Sequence, residues 1–270
     1  MAPTVAPVAL PLHPPAYPVG QLGDPVAPWF FDTVMPVLWV VALVVVIVHT
    51  ARTRRFAIAS LLFLSGTTMF WIEWPADWGS YLVYNRDFRL FDGWTSTWFQ
   101  TYWKPVGVVF GYGIFFGFAG IVLAKAVPAL RRRITVIPRP AAVALVAAVL
   151  FYAFDIGAEK LMTSLGWYSY VEPVGPSWLS SRGSLSFVWP ALPFVVFAVL
   201  LALLLDQRDD RGFYRNEVIA GANRVAAGWR RESLRLVTWI VTMNVLIFVF
   251  QPLTLCLGRS FFLHGSSYVP

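Results

Sequence analysis

Residues 141–165 read AAVALVAAVLFYAFDIGAEKLMTSL: fourteen residues without a charge, then Asp155, Glu159 and Lys160 within six positions. A helix rises about 1.5 Å per residue and the hydrocarbon core of a bilayer is about 30 Å thick, so this stretch is long enough to cross a membrane. Its carboxyl groups then lie inside the span, where an ionisable side chain is expensive and marks a place for chemistry.

Working outward, five further windows have the same apolar character: 30–49, 56–72, 106–127, 187–205 and 236–257. Among the six, acidic residues well inside a span occur in 141–165 alone. The whole chain agrees, with 58% apolar, 17% aromatic and 13% charged residues in 270, against about a quarter charged in a soluble domain. The expected fold is all-α: a polytopic membrane protein of six transmembrane helices, with an aromatic-rich outer loop at 73–104 and an interfacial cytoplasmic helix within 206–235. Residues 1–28, with eight prolines and no Lys or Arg, read as a disordered lead-in rather than a secretory signal. A single transmembrane domain at 29–260 and a short tail at 261–270 complete the organisation.

The +7 net charge would suggest nucleic acid in a soluble protein, but its distribution fits topology instead. The loops after spans one, three and five hold fifteen of the 21 Lys and Arg, and five of the 14 acidic residues, leaving +10 on that side and −3 on the other. Basic loops face the cytoplasm, so a multi-pass chain in the cell membrane with both termini extracytoplasmic is expected, and nucleic acid is not a partner. The stretch 206–235 alternates its seven arginines with Phe213, Tyr214, Val218, Ile219, Val225 and Trp229. It suits either a helix lying on anionic lipid headgroups or a solvated connector. Lone Cys256 makes no internal disulfide, the three histidines are scattered, and no haem, flavin, nucleotide or phosphate motif is visible. No cofactor is expected.

Candidate site residues follow from depth and spacing. Asp155 lies some 20 Å from the inner end of its span and Glu159 about 6 Å beyond, and i, i+4 spacing puts both on one face. The alternative makes Asp155 a hydrogen-bonded packing residue and Glu159 an interfacial anchor. Asn244 and Gln251, nearly two turns apart in the last span, can share a face toward the same cavity or bridge helices. Ten of the thirteen tryptophans fall on the outer side, where the loop interleaves Glu73, Trp74, Asp77, Trp78, Tyr84 and Asn85. Carboxylates among aromatic rings suit a lidded pocket in which rings and an acid meet a developing cation. Glu73, at the mouth of span two, is the leading acid of that loop. Span three, with Gly107, Gly111, Gly113, Gly117 and Gly120, permits close helix approach, including in a homodimer.

The segments Trp74-Pro75-Ala76-Asp77-Trp78, Tyr81-Leu82-Val83-Tyr84-Asn85, Phe154-Asp155 with Glu159, and Gly166-Trp167-Tyr168-Ser169-Tyr170 resemble the AveC-type spirocyclases of actinomycete polyketide pathways. The similarity runs from about Trp39 to the C-terminus. It implies spiroketal formation in an apolar polyketide-like molecule reached from the lipid bilayer, sometimes with an additional dehydration. On that implication Glu159 or Glu73 serves as acid and Asp155 as the carboxylate that deprotonates the hydroxyl and faces the cation, with Tyr168, Trp74 and Trp78 as walls. Two other readings use the same residues: a membrane terpene cyclase acting on a prenylated substrate, and a non-catalytic lipid-binding or transport subunit, which would need to dimerise.

Overall fold

The computed structural model describes residues 26–85, 87–89, 91, 104–263, 266 and 269. The lead-in 1–25, most of the outer-loop aromatics (Trp94, Trp98, Tyr102, Trp103), His13 and His264 lie outside the described residues.

The chain is mainly helical. α1 (Val26–Trp29) leads through a π-turn (Phe30–Val34) into α2 (Met35–Thr53), followed by α3 (Ile58–Thr67), a 3₁₀ turn (Phe70–Ile72) and α4 (Glu73–Ser80). Then come β1 (Leu82–Tyr84), α5 (Gly107–Arg131), α6 (Arg139–Ser164), β2 (Tyr168–Tyr170), β3 (Ser177–Leu179), β4 (Ser184–Ser186) and α7 (Ala191–Asp206). The chain closes with α8 (Arg215–Ile219), a 3₁₀ turn (Ala222–Arg224), α9 (Trp229–Phe250) and α10 (Pro252–Phe262). Four helical stretches are long and apolar enough to cross a membrane: Phe30–Thr53, Gly107–Leu130, Arg139–Ser164 and Trp229–Phe262.

The other two expected spans are shorter than the sequence pattern implies. In the second, Thr67 and Thr68 turn their hydroxyls onto the carbonyls of Phe63 and Ser65, competing with the helix ladder, and α3 ends after ten residues. The fifth, α7, has sixteen residues and sits in the middle of the bundle with Phe194, Phe197, Ala198 and Leu201 buried. The sixth breaks at Gln251, because Pro252 has no N–H for the ladder, and resumes as α10.

The core gathers Leu61 and Leu62 of α3, Phe116 of α5, Phe151 of α6, Phe194 and Phe197 of α7, and Trp239 and Met243 of α9. Phe194 is its hub: its ring lies 4.9 Å from Phe151, 5.7 Å from Phe116 and 6.0 Å from Phe197. α3 and α5 pack backbone to backbone, and a Cβ on Gly66 would meet Phe116 Cβ at 2.8 Å. Four glycines of α5 face neighbours within the chain: Gly107 faces Phe31, Gly113 faces Thr67 and Trp39, Gly117 faces Phe63 and Gly120 faces Leu62.

Two corrections concern the loops. The fold is not purely α: at one end of the bundle β1 pairs antiparallel with β2, setting Tyr84 opposite Tyr168, and β3 pairs with β4. The alternation Tyr168-Ser169-Tyr170 suits a strand because it puts both phenols on one side. At the other end, 206–235 is no continuous amphipathic helix. Gly212, Gly221 and Gly228 take positive φ (82°, 78° and 143°), which breaks it into a β-bridge turn, α8 and a 3₁₀ turn. Phe213 and Tyr214 point inward instead of onto lipid, and Glu217, Glu232 and Arg235 form a buried ion network. Arg235 donates to Glu217 Oε1 at 2.9 Å, to Glu232 Oε2 at 2.7 Å and to the carbonyl of Phe56 at 3.1 Å.

Candidate active site

Two carboxylate pairs face one cavity of about 180 Å³ at one end of the bundle. Glu73 and Asp77 sit one turn apart on α4, and Asp155 and Glu159 one turn apart on α6. α4 can turn its acids inward because it is clamped against α10: the Gly79 backbone lies directly against Leu255, and Trp189 Nε1 donates to the Gly79 carbonyl at 3.0 Å. Asp155 and Glu159 come from the same helix as core residue Phe151, so the packing that buries that ring also aims the two acids.

Phenols surround the acids. Tyr84 and Tyr112 donate to the two oxygens of Glu73, one hydroxyl to each. Tyr170 donates to Glu159 Oε2 at 2.7 Å, and Tyr168, whose hydroxyl also reaches Met162 Sδ at 3.4 Å, stands beside the same carboxylate. Asp155 lines the cavity and accepts no hydrogen bond from any described residue. Asp77 is ion-paired with Lys104, whose ammonium also lies 5.5 Å from the centre of the Tyr84 ring. Both side chains are almost fully enclosed.

Burial, with the charge of Glu73 next, holds Asp77 well above the usual carboxylate range, while Lys104 pulls the other way. Burial likewise pushes Tyr84, Tyr168 and Tyr170 well above the usual phenol range, reinforced by Glu73 for the first and Glu159 for the other two. These phenols therefore act as donors throughout the neutral range. Apolar walls come from Phe31, Phe88, Phe116, Phe194 and the ring of Trp167. Gln251, at the break between α9 and α10, also lines the cavity, and its Oε1 is buried without a hydrogen-bond partner among the described residues.

Of the residues singled out from sequence, Glu73, Asp77, Tyr84, Asp155, Glu159, Tyr168 and Gln251 reach this wall. Trp74, Trp78, Asn85 and Asn244 do not. Trp74 packs behind it against Phe70 and Phe91, with ring centres at 6.4 and 6.2 Å. The Trp78 ring lies 4.2 Å under the Arg259 guanidinium. Asn85 Nδ2 bonds the Gly166 carbonyl at 2.9 Å and fastens β1 to the turn before β2. Asn244 bridges helices, accepting from Trp71 Nε1 at 2.7 Å and donating to Thr68 Oγ1 at 2.8 Å. Tyr112, Tyr170 and Lys104, at or behind the wall, are not among the site residues singled out from sequence. Tyr170 was accessible from its two-residue offset to Tyr168, and Tyr112 as a polar ring between two glycines of an apolar span.

A helical bundle with four membrane-length apolar helices, consistent with a membrane protein, encloses a pocket of acids, phenols and apolar rings at one end. Residues 53–259 match the family described as spirocyclase AveC-like, and the chain belongs to that family. No curated protein and no solved structure matches it. The family points to a cyclase role.

Proposed function

We propose that the protein is a membrane-embedded, cofactor-independent cyclase that closes a spiroketal from the dihydroxyketone of an apolar polyketide, with loss of water. The observation that carries this reading is the meeting of Glu73, Asp155 and Glu159, from helices some eighty residues apart in sequence, on one phenol-lined cavity. The topology that goes with it has six spans, α3 and α7 being the short ones, and both termini outside. The basic loops then face the cytoplasm and the cavity opens near the outer leaflet.

In this reaction the first hydroxyl adds to the ketone to give a hemiketal. An acid protonates the hemiketal hydroxyl, water departs, and an oxocarbenium ion remains. The second hydroxyl attacks that carbon and gives its proton to a carboxylate, so one proton passes from acid to base per turnover and one water is released. The hydrogen-bond pattern favours particular roles. Glu73, with a phenol on each oxygen, is held in place to face the cation. Asp155, whose oxygens take no donor from the described residues, is open to protonate the leaving hydroxyl. Glu159, anchored through Oε2 by Tyr170, receives the proton of the second hydroxyl. Relative to the sequence reading, acid and base are exchanged between Asp155 and Glu159. A cavity of about 180 Å³ has the room of about six waters at ~30 Å³ each, which suits the reacting segment of a polyketide with its remainder outside.

The test is conversion of an open-chain dihydroxyketone by membranes carrying Asp155→Asn or Glu159→Gln. General acid–base catalysis contributes about 10²- to 10⁴-fold, so each variant should lose at least a hundredfold in rate. Unchanged yield and stereochemistry in both would refute the assignment. Cyclisation of a prenylated substrate, with the dihydroxyketone left untouched, would reassign the cavity to terpene chemistry.

A further inference from the structure

The end of the bundle away from the carboxylate cavity carries a second concave site of opposite charge. α9 separates the two. Gln251, just past its C-terminal end, lines the acid cavity, and Arg231 in its first turn borders an open crevice of about 520 Å³. Three more arginines reach that crevice from separate segments: Arg55 after α2, Arg211 in the turn before Phe213, and Arg224 in the 3₁₀ turn. Among the described residues, no carboxylate lines it.

The segments that carry the arginines are tied together mainly through backbone groups. Phe56 N–H donates to Glu232 Oε2 at 2.9 Å, and Arg235 donates to the Phe56 carbonyl, which pins the Arg55 loop to the start of α9. Asp209 Oδ1 accepts the N–H groups of Arg211 and Phe213, and Arg211 Nη1 donates to the Asn223 carbonyl at 3.2 Å, joining the other two segments. Asp209 takes these N–H groups, and Glu232 takes Phe56 and Arg235 on Oε2. Arg231 Nε lies 3.5 Å from Glu232 Oε1, is buried and makes no hydrogen bond among the described residues. Four guanidinium groups around one hollow that no carboxylate lines among the described residues repel one another unless an anion joins them. Planar guanidinium forks match phosphate oxygens in pairs.

The surroundings identify the source of that anion. The crevice lies where α2 ends and α9 begins, at the edge of two membrane-length helices. On the same side, Trp229 is half exposed with the Arg54 guanidinium 5.9 Å from its ring centre, and Ile219 and Val136 stand out at 78% and 90% exposure. Exposed apolar side chains beside a cationic hollow suit a headgroup with acyl chains attached, and tryptophan favours that interfacial depth. We propose that this crevice binds the phosphate of an anionic lipid headgroup at the membrane face that carries the basic loops.

The full chain, purified in neutral detergent, is titrated with phosphatidylglycerol, phosphatidylcholine or inorganic phosphate, and binding is read by native mass spectrometry and thermal stability. Each arginine near an anionic surface is worth about fivefold in affinity. Phosphatidylglycerol should therefore bind at least tenfold more tightly than phosphatidylcholine, and Arg55→Gln/Arg224→Gln should weaken it about 25-fold. Both positions are exposed and their guanidinium groups have no hydrogen-bond partner among the described residues, so the fold is not at stake. Arg182→Gln, in the loop between β3 and β4, should change nothing. Equal binding of the two lipids, or wild-type binding by the double variant, overturns the proposal. Protection by millimolar inorganic phosphate equal to that by phosphatidylglycerol also overturns it, in favour of a soluble anion.

Discussion

Replacing Lys104 by Met is the sharpest probe of how the acid cavity is built. The lysine side chain is 1% exposed and that of its partner Asp77 is 5% exposed. Removing the lysine alone leaves a buried carboxyl group beside Glu73 with no counter-ion, and breaking a buried pair from one side costs about 3–5 kcal/mol. The chain has its own control. Arg139 contacts Asp206 at 2.8 Å, but the arginine is 57% exposed, and an exposed pair contributes about 0–1 kcal/mol. Equilibrium unfolding in mixed micelles, followed by circular dichroism, should therefore show Lys104→Met several kcal/mol below Arg139→Gln. Adding Asp77→Asn should restore most of the loss, because taking out both partners removes the stranded charge. Acidity supplies an independent sign. Burial and Glu73 raise Asp77 while Lys104 lowers it, so without the lysine the native state holds the Asp77 proton to still higher pH than the unfolded chain, which releases it near 4. A native state that binds more protons than the unfolded one loses stability as pH rises. The deficit of Lys104→Met should thus widen as pH rises above the already raised Asp77 titration of the parent protein. A deficit within about 1 kcal/mol of the Arg139→Gln control, or a further fall on adding Asp77→Asn, would refute the pairing.

Two further measurements test the packing and the phenols. In the same assay Gly79→Ala should cost about 1–3 kcal/mol, because its Cβ would sit 2.7 Å from Leu255 and 2.9 Å from the Cys256 nitrogen, where α10 backbone must move. Gly157→Ala, with nothing within 4 Å, should be neutral or gain up to about 1 kcal/mol; equal effects at the two glycines would contradict the clamp of α4 on α10. Tyr84→Phe and Tyr112→Phe each strip a phenol donor from Glu73, an interaction worth about 1.5–3 kcal/mol to a charged group, so each should lower kcat/KM about tenfold or more. Rates within twofold of the parent for both would remove Glu73 from the reacting centre.

What the sequence displays and what it conceals divide along physical lines. Apolar runs are local, so α2, α5, α6 and α9 are legible from hydropathy. Their number is less so, because a run does not say where a helix stops. Thr67 and Thr68 end α3 through hydroxyl contacts that hydropathy does not register, and Pro252 splits a run that is apolar on both sides. The stretch 206–235 misleads for a similar reason. Its alternation of arginine and apolar residues resembles an amphipathic face, yet three glycines in positive φ decide its path. Asp155 and Glu159 stand out because i, i+4 spacing is visible along a helix. The equally spaced Glu73 and Asp77 are hidden as a pair because α4 reads as loop. Lys104, Tyr112 and Tyr170 meet their carboxylates only across elements, and no local pattern carries such contacts.

Stability alone does not account for that cavity. Glu73, Asp77, Asp155 and Glu159 share it, with Lys104 paired to Asp77, and each added buried carboxyl makes the others harder to ionise. The opposite end of the bundle shows what a stabilising arrangement of the same groups looks like. There Glu217 and Glu232 take Arg235 between them, with Trp239 Nε1–H and Tyr214 N–H also donating to Glu217 and Phe56 N–H to Glu232. Around the cavity the surplus acids are met by phenols, which donate hydrogen bonds without supplying charge. Asp155 is met by no donor among the described residues. Departures from local compensation concentrate where a protein works, and an acid-rich hollow lined by rings would complement the cation of the proposed cyclisation, which exists only while that reaction proceeds.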